Sequence, residues 1–146
     1  MATSALDRQV EQRLSEKKVR YTRGRRAVIG ALAAADGPRS AADLRDDIQE
    51  GVPLSSIYRS LTVLEDAEVL APHYSMKGTT RFELAEWLAG HHHHLVCLNC
   101  GTVEDIEISE KLEASLQEIV ADIGTAISFD PSNHALEIEG RCAECR

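Results

Sequence analysis

The sequence predicts an α+β fold made of an N-terminal winged helix-turn-helix domain and a C-terminal domain with a small sheet and a helix. Three observations support this prediction: four short helical patterns precede a hairpin, the excess acid lies in the second half, and that half holds two Cys-x-x-Cys pairs. A chain of 146 residues can form two such domains. We expect them at residues 1–85 and 91–146, joined by a hinge at residues 86–90.

Each helix of the first half has a start signal or an apolar spacing. Leucine and valine recur every four positions within residues 5–18, which predicts the first helix. Thr22 is expected to cap the second helix, and Ser40 with Asp43 resembles a capping box for the third. Ser55 is expected to cap the fourth.

A hairpin is predicted to close the first half. Two extended runs, residues 69–75 and 79–85, are separated by Met76-Lys77-Gly78. Short helices followed by a hairpin are typical of a winged helix-turn-helix, and a helical bundle with an added hairpin is the alternative.

The fourth helix has an exposed face that suits the major groove of DNA. Its apolar residues at helical spacing leave one side for solvent, where the side chains are Ser56, Tyr58, Arg59 and Thr62. Because this face has small polar, aromatic and arginine side chains and no acid, we expect the helix from Ser55 onwards to enter the groove.

The charge of the chain is distributed unevenly. The net charge is -8, yet residues 1–70 are balanced and residues 71–146 carry the whole excess. Residues 8–26 hold eight basic and two acidic side chains, which indicates a basic surface for an anionic partner or, alternatively, a solvated charged helix. The sequence has neither an apolar run of membrane-spanning length nor a signal-peptide core, so we expect a cytoplasmic protein.

The second half is predicted to contain strands and one helix. Residues 91–97 and 102–108 are the predicted strands. Ser109 is expected to cap a helix that Gly124 ends. The tail from 125 to 140 is predicted to be extended again.

All four cysteines fall in two pairs with a two-residue spacer, Cys97 with Cys100 and Cys142 with Cys145. This spacer allows both thiolates of a turn to bind one tetrahedral ion, so two such turns predict a structural zinc site. The ion would hold the C-terminal tail against the first strand of the domain. A redox pair or two disulfides are the alternatives, and disulfides are uncommon in the cytoplasm.

Four consecutive histidines precede the first cysteine pair. On a strand, alternate side chains face opposite sides, so His91 and His93 form one pair while His92 and His94 form another. These are two ligand pairs for two separate metal sites, and each site needs further ligands. The candidates elsewhere are His73, Glu83, Glu113 and His134, each of which could equally be an ordinary surface acid or a hydrogen-bonded histidine.

Taken together, the motifs SSIYRSLTVLEDAEVL, RFEL, HHHHLVCLNCG and NHALEIEGRCAEC resemble those of the ferric uptake regulator superfamily of metal-sensing bacterial repressors. The resemblance extends from about Tyr21 to Cys145. It implies a homodimer with an N-terminal winged helix that binds a palindromic double-stranded DNA operator and a C-terminal α/β dimerisation domain.

The resemblance also implies metal ligands at matching positions. It assigns structural zinc to Cys97, Cys100, Cys142 and Cys145. The implied regulatory site at the hinge contains Glu83, His92 and His94. Many members supply a further histidine where this chain has Pro38, and His73 is our substitute for it. The implied second site contains His91, Glu113 and His134, with His93 at a position where members have Asp or His.

DNA contacts follow from the same resemblance. It implies that Tyr58 and Arg59 contact DNA from the recognition helix and that Arg20 reaches the minor groove. Ser55 and Ser56, on the same helix, are added to this set.

The function implied by the resemblance is metal-dependent repression of metal-uptake or homeostasis genes. The regulatory ion would be Fe2+ or Zn2+, with Mn2+ or Ni2+ also compatible with the ligands, and at the hinge it would select the domain arrangement that fits DNA. Peroxide sensing is an alternative within the family. A zinc hydrolase using His91 and His93 lacks a nucleophile or general-base pattern, so we expect no enzyme. A metal carrier would have no use for the basic segment.

Overall fold

The computed structural model describes residues 4–49, 51–74 and 78–146 of the chain. They belong to two units, Met1–His91 and His92–Arg146. Helices and a small sheet form the first unit, and a three-stranded sheet with one long helix forms the second, so the predicted α+β class is confirmed. No helix within the described ranges has the length and apolar character needed to cross a membrane.

The first unit alternates helices with short strands. Its elements are α1 (Ala5–Glu16), α2 (Arg23–Ala34), β1 (Arg39–Ser40), α3 (Ala41–Asp47), α4 (Leu54–Asp66), β2 (Leu70–Tyr74), β3 (Thr80–Leu84) and α5 (Glu86–Ala89). The three strands pair antiparallel in the order β1-β3-β2. The hairpin of β2 and β3 agrees with the sequence prediction, while Met76 and Lys77 of its predicted turn lie outside the described residues.

Two of the predicted helix starts in this unit are confirmed and one is wrong. The Thr22 side chain accepts a hydrogen bond from the backbone of Arg25, and Ser40 with Asp43 forms the complete capping box of α3. Ser55 does not cap α4. The helix begins after Pro53, whose φ of -60° suits a helix entry and whose carbonyl accepts the first amide hydrogen bonds.

The core of the first unit fixes which side of α4 faces solvent. Its largest fully buried side chains are Leu14, Ile29, Leu44, Ile57, Leu61 and Leu64. Three of these lie on α4 at helical spacing, as the sequence predicts. Burial of one side of α4 exposes the other, which carries Tyr58 and Arg59.

The short helix α5 is attached to α1 and to the turn after α4 through Trp87. Its indole Nε1 donates a hydrogen bond of 2.8 Å to the carbonyl of Glu68, which has a left-handed φ of 62°. The guanidinium of Arg13 lies 4.2 Å from the centre of the ring, an attractive cation–π distance. These contacts fix α5, the last element before the histidines.

The second unit is built around strand β4. Its elements are β4 (His93–Cys97), β5 (Val103–Ile106), α6 (Glu110–Ile127) and β6 (Glu137–Gly140). β4 is the central strand, antiparallel to β5 and parallel to β6. The predicted cap is confirmed, because the Ser109 side chain accepts from the backbone of Leu112. His91 and His92 precede the strand and are not part of it.

The predicted end of α6 at Gly124 is wrong. The helix continues to Ile127, and Ser128 with a φ of 55° ends it. Gly124 is instead buried, because the chain after the helix crosses it. A Cβ atom there would lie 2.7 Å from the carbonyl oxygen of Phe129 and 2.8 Å from Cδ of Pro131. The glycine is therefore required for close approach, and the tail becomes a strand only at Glu137.

Candidate metal centres and DNA-reading helix

The four cysteines converge on one point in the second unit. Cys97 ends β4, Cys100 lies in the following turn, and Cys142 and Cys145 form the last turn of the chain. All four are free thiols, and their Sγ atoms lie within 4.8 Å of one another. Four sulfur donors at these distances fit a closed tetrahedral zinc site.

Hydrogen bonds around Cys97 favour its thiolate, the form that binds zinc. Backbone hydrogen bonds from Cys100 and Cys142 lower its pKa to about 5. The Cys142 amide donates to Sγ of Cys97 at 3.4 Å. The side chain of Thr102 lowers the pKa of Cys100. The hydrogen bond with Cys145 raises the pKa of Cys142 to about 12. A divalent ion bound to the four sulfurs would favour the thiolate form of each.

A second cluster in this unit joins β4, α6 and the segment before β6. Glu113 lies between two histidines, with Oε2 at 2.8 Å from Nε2 of His93 and Oε1 at 2.8 Å from Nε2 of His134. The centres of the two imidazole rings are 5.4 Å apart. His93 is only 2% exposed. Two imidazoles and a carboxylate are a donor set for a divalent first-row metal.

A third cluster occupies the other face of the histidine segment. Nε2 of His92 lies 3.5 Å, and Nε2 of His94 3.4 Å, from Oδ1 of Asp105. The two imidazoles meet edge to face, with centres 4.9 Å apart. His93 and His94, the two histidines on β4, thus belong to different clusters, as expected from strand alternation, and His92 joins His94 although it precedes the strand.

Asp105 is absent from the ligands that the sequence predicts. It lies directly opposite His94 in the antiparallel pairing of β4 with β5. That pairing depends on the register of the two strands. The sequence offers Glu104, Asp105 and Glu107 on the second strand without indicating which of them faces the histidines.

The other predicted ligands lie in the first unit. Glu83 on β3 pairs with Ala71 on β2, and His73 lies two positions after Ala71. Glu83 and His73 are therefore on the same face of the hairpin. His73 pairs across the hairpin with Arg81, whose guanidinium lies 3.1 Å from the carboxylate of Asp43. Nδ1 of His91 lies 2.6 Å from Oε1 of Glu86.

The exposed face of α4 differs from the prediction at one position. Ser55, Tyr58, Arg59 and Thr62 are exposed, whereas Ser56 is half-buried. Ser56 lies one turn before Ser60, which is buried, whereas Ser55 lies three and four residues before the exposed Tyr58 and Arg59.

Arg20 is exposed on the loop between α1 and α2, and its surroundings hold that loop in place. Its carbonyl accepts a hydrogen bond from the guanidinium of Arg25. The Tyr21 hydroxyl donates to Asp7 at 2.8 Å, and the guanidinium of Arg26 lies 4.1 Å from the centre of the Tyr21 ring. The predicted minor-groove residue is therefore on a fixed loop.

Comparison with known proteins identifies similar sequences and structures along most of the chain. The sequence model of the ferric uptake regulator family matches residues 16–139. The ferric uptake regulation protein of Escherichia coli strain K12 is 35% identical over 140 residues, 91% of this chain and 89% of that protein. The Vibrio cholerae ferric uptake regulator, whose crystal structure shows rearranged DNA-binding domains, is 29% identical with a TM-score of 0.70 over 90% of this chain and 98% of its own. A zinc-bound manganese uptake regulator is 27% identical with a TM-score of 0.68 over 91% of this chain and 98% of its own.

Proposed function

The chain belongs to the ferric uptake regulator family of metal-responsive regulators, and we propose that it is a metal-dependent repressor of metal-uptake or homeostasis genes. The observation that carries this proposal is the separation of consecutive histidines into two clusters, one around Asp105 and one around Glu113. Because the proposed partner is DNA, we expect the protein to act in the cytoplasm.

The structural site would hold Zn2+ on four cysteines. Such an ion supplies the positive charge that keeps the thiols deprotonated. Cys97 ends the central strand, while Cys142 and Cys145 belong to the C-terminal turn. We therefore propose that the cysteines join the end of the chain to the sheet.

The regulatory site would hold Fe2+ or Zn2+, and Mn2+ or Ni2+ also suit its nitrogen and oxygen donors. Its proposed ligands in the second unit are His92, His94 and Asp105. The hairpin of the first unit offers Glu83 and His73. Ligands from both units would make the winged helix adopt one arrangement when metal is present, which is the switch we propose.

The second site would use His93, Glu113 and His134, with His91 as the further ligand that the family resemblance implies. His93, Glu113 and His134 come from different elements of the second unit. A bound ion would therefore fix α6 and the following segment to β4. We propose that this site supports the dimerisation domain.

The apolar face of α6 supports a homodimer. Leu112, Ile119, Ile123 and Ile127 recur at helical spacing, and each is more than half exposed. On the sheet, Leu95 and Ile138 pair across β4 and β6 and are also exposed. Large exposed apolar patches mark protein interfaces, and a second copy with two-fold symmetry would cover the same surface on both chains.

The DNA contacts proposed are those of α4 and the α1–α2 loop. Tyr58, Arg59 and Ser55 would read the major groove, with the half-buried Ser56 near the backbone, and Arg20 would enter the minor groove. A two-fold dimer would carry two such helices, which predicts a palindromic operator.

Selection of genomic DNA fragments tests the proposal. The full-length protein would be incubated with fragments at buffered free Zn2+, anaerobically with Fe2+, with Mn2+, and with a chelator that leaves the cysteine-bound zinc in place. We expect palindromic promoter sites to be enriched with one metal and lost with the chelator. His92→Ala should abolish this dependence while the protein keeps its zinc and its oligomeric state. Enrichment that is equal in all conditions would contradict metal-dependent repression.

A further inference from the structure

Thr62 shares the exposed face of α4 with the proposed DNA contacts. Residue 55 lies three and four positions before residues 58 and 59, and residue 62 lies three and four positions after 59 and 58, which places all four on one helical stripe. All four are exposed, and the opposite side of the helix is buried in the core. A surface that contacts Tyr58 and Arg59 is therefore within reach of Thr62 as well.

The hydroxyl of Thr62 is already engaged with the helix. Its Oγ1 donates a hydrogen bond of 3.1 Å to the carbonyl of Tyr58, the common back-bonded arrangement of threonine in helices. Because its hydroxyl proton is used there, Thr62 has no side-chain hydrogen to donate to a base, and its γ-methyl is the side-chain group that can make an apolar contact. Thr62 thus brings a methyl group to a face whose other side chains are polar or aromatic.

Asp66 marks the end of the DNA-reading stripe. It is exposed and lies one turn beyond Thr62. A carboxylate at this position would be repelled by DNA phosphates, whereas the stripe from Ser55 to Thr62 contains no acid. The contact surface therefore ends between Thr62 and Asp66, and Thr62 is its last side chain.

The apolar group on the major-groove edge of the bases is the C5-methyl of thymine, and threonine methyls are suited to contact it. We propose that Thr62 reads a thymine in each half-site through contact between the two methyl groups. This inference rests on the proposed function, because it requires α4 to lie in the major groove. It makes Thr62 a specificity-determining residue beside Tyr58 and Arg59.

The experiment combines a protein change with a base change. Deoxyuridine lacks only the methyl of thymine, and Thr62→Ser lacks only the methyl of threonine. Affinity would be measured for wild type and Thr62→Ser on the selected operator, with each thymine pair of the two half-sites replaced in turn. The matched control is Thr125→Ser on α6, where the same back-bonding is found, with Oγ1 at 3.0 Å from the Ala121 carbonyl.

We expect one symmetric pair of thymines whose replacement by deoxyuridine weakens operator binding by the wild-type protein. The loss should be about four-fold per half-site, the effect of removing one buried methyl group. Thr62→Ser should lose a similar factor on the thymine operator and nothing further on the matching uridine operator. Thr125→Ser should behave as wild type. If the losses from the two changes multiply at every position, the inference is wrong while the proposed function stands. If wild type selects no DNA in any metal condition, the proposed function fails and this inference fails with it.

Discussion

The carboxylate of Glu113 lies 2.8 Å from Nε2 of the buried His93, and its other oxygen is equally close to His134. One acid thus connects the first residue of β4 to the segment that returns after α6. The same three side chains are the proposed ligands of one divalent ion, and each comes from a different element. The ligand set therefore exists only when the whole unit is folded.

Glu113→Gln keeps the size of the side chain and removes its charge. We expect affinity at the second site to fall roughly tenfold or more, because an amide is a weaker ligand than a carboxylate. Metal content after competition with a graded series of chelators measures this effect. Glu110→Gln, one turn earlier on α6 and exposed, is the control. Equal metal retention by both variants would remove Glu113 from the site.

Asp105→Asn tests the proposed ligand that the sequence does not predict. With the charge between His92 and His94 lost, we expect metal-dependent operator binding to weaken roughly tenfold or more, with the cysteine-bound zinc unchanged. Operator titrations at buffered metal concentration measure the loss. Glu104→Gln, the next residue on β5, pairs with Leu95 and should have no effect. A normal metal response by Asp105→Asn would exclude this carboxylate.

Cys145→Ser removes one of the four sulfur ligands. We expect each chain to bind one zinc ion fewer and the second unit to unfold at a lower temperature, because metal binding contributes directly to folding. Zinc analysis and thermal unfolding by circular dichroism measure the two effects. Ala143→Ser adds a hydroxyl to the same turn and should keep the metal. A zinc-free Cys145→Ser protein as stable as wild type would show that the site does not stabilise the fold.

Tyr21→Phe should change how stability depends on pH. The hydrogen bond from the Tyr21 hydroxyl lowers the pKa of Asp7 below its ordinary 3.8. A carboxyl with a depressed pKa stabilises the folded state above the unfolded pKa, and this contribution is lost as pH falls through the folded value. The free-energy difference between wild type and Tyr21→Phe should therefore be full near neutral pH and shrink below about pH 4.

Nuclear magnetic resonance titration of the Asp7 carboxyl measures the same effect directly. Its pKa should rise towards the ordinary value in Tyr21→Phe. Tyr58→Phe, which changes an exposed tyrosine, should leave it unchanged. An unaltered Asp7 titration in Tyr21→Phe would assign the depression of its pKa to other neighbours.

Gly124→Ala should destabilise the second unit by about 1–3 kcal/mol, as expected for overpacking. The new methyl would meet the Phe129 carbonyl and the Pro131 ring, neither of which is flexible, and the segment leading to His134 would move. Gly30→Ala is the control, because α2 has open space at that position and the change should stabilise the helix by roughly 0.5–1 kcal/mol. Urea unfolding measures both. Similar stabilisation by the two changes would contradict the close approach at Gly124.

Local signals explain which parts of the fold could be predicted. Thr22, Ser40 with Asp43, and Ser109 each cap a helix through contacts within three residues, so the sequence alone contains the information. The buried stripe of α4 follows from helical periodicity in the same way. The short spacer brings together the cysteines within each pair, and the preference of zinc for four thiolates predicts that the two distant pairs meet.

Contacts between distant segments explain the rest. Glycine after an apolar helical pattern predicts a helix end at Gly124, whereas its contacts with Phe129 and Pro131 exist only because the chain turns back over α6. Asp105 depends on strand register, which a shift of one residue would reverse. Pro53 starts α4 in place of Ser55 because its fixed φ already supplies the helix entry. The two-residue strand β1 is too short for any pattern and is defined by its pairing with β3.

Trp87 is the single tryptophan of the chain, and its position gives the protein an intrinsic optical probe. Excitation at the red edge of protein absorbance would address this indole alone. Its emission depends on the Arg13 guanidinium over the ring and on the hydrogen bond to Glu68. Movement of α5 would change both contacts of the indole and hence the wavelength and lifetime of its fluorescence. Stopped-flow fluorescence of the unlabelled protein could therefore time the conformational response to metal.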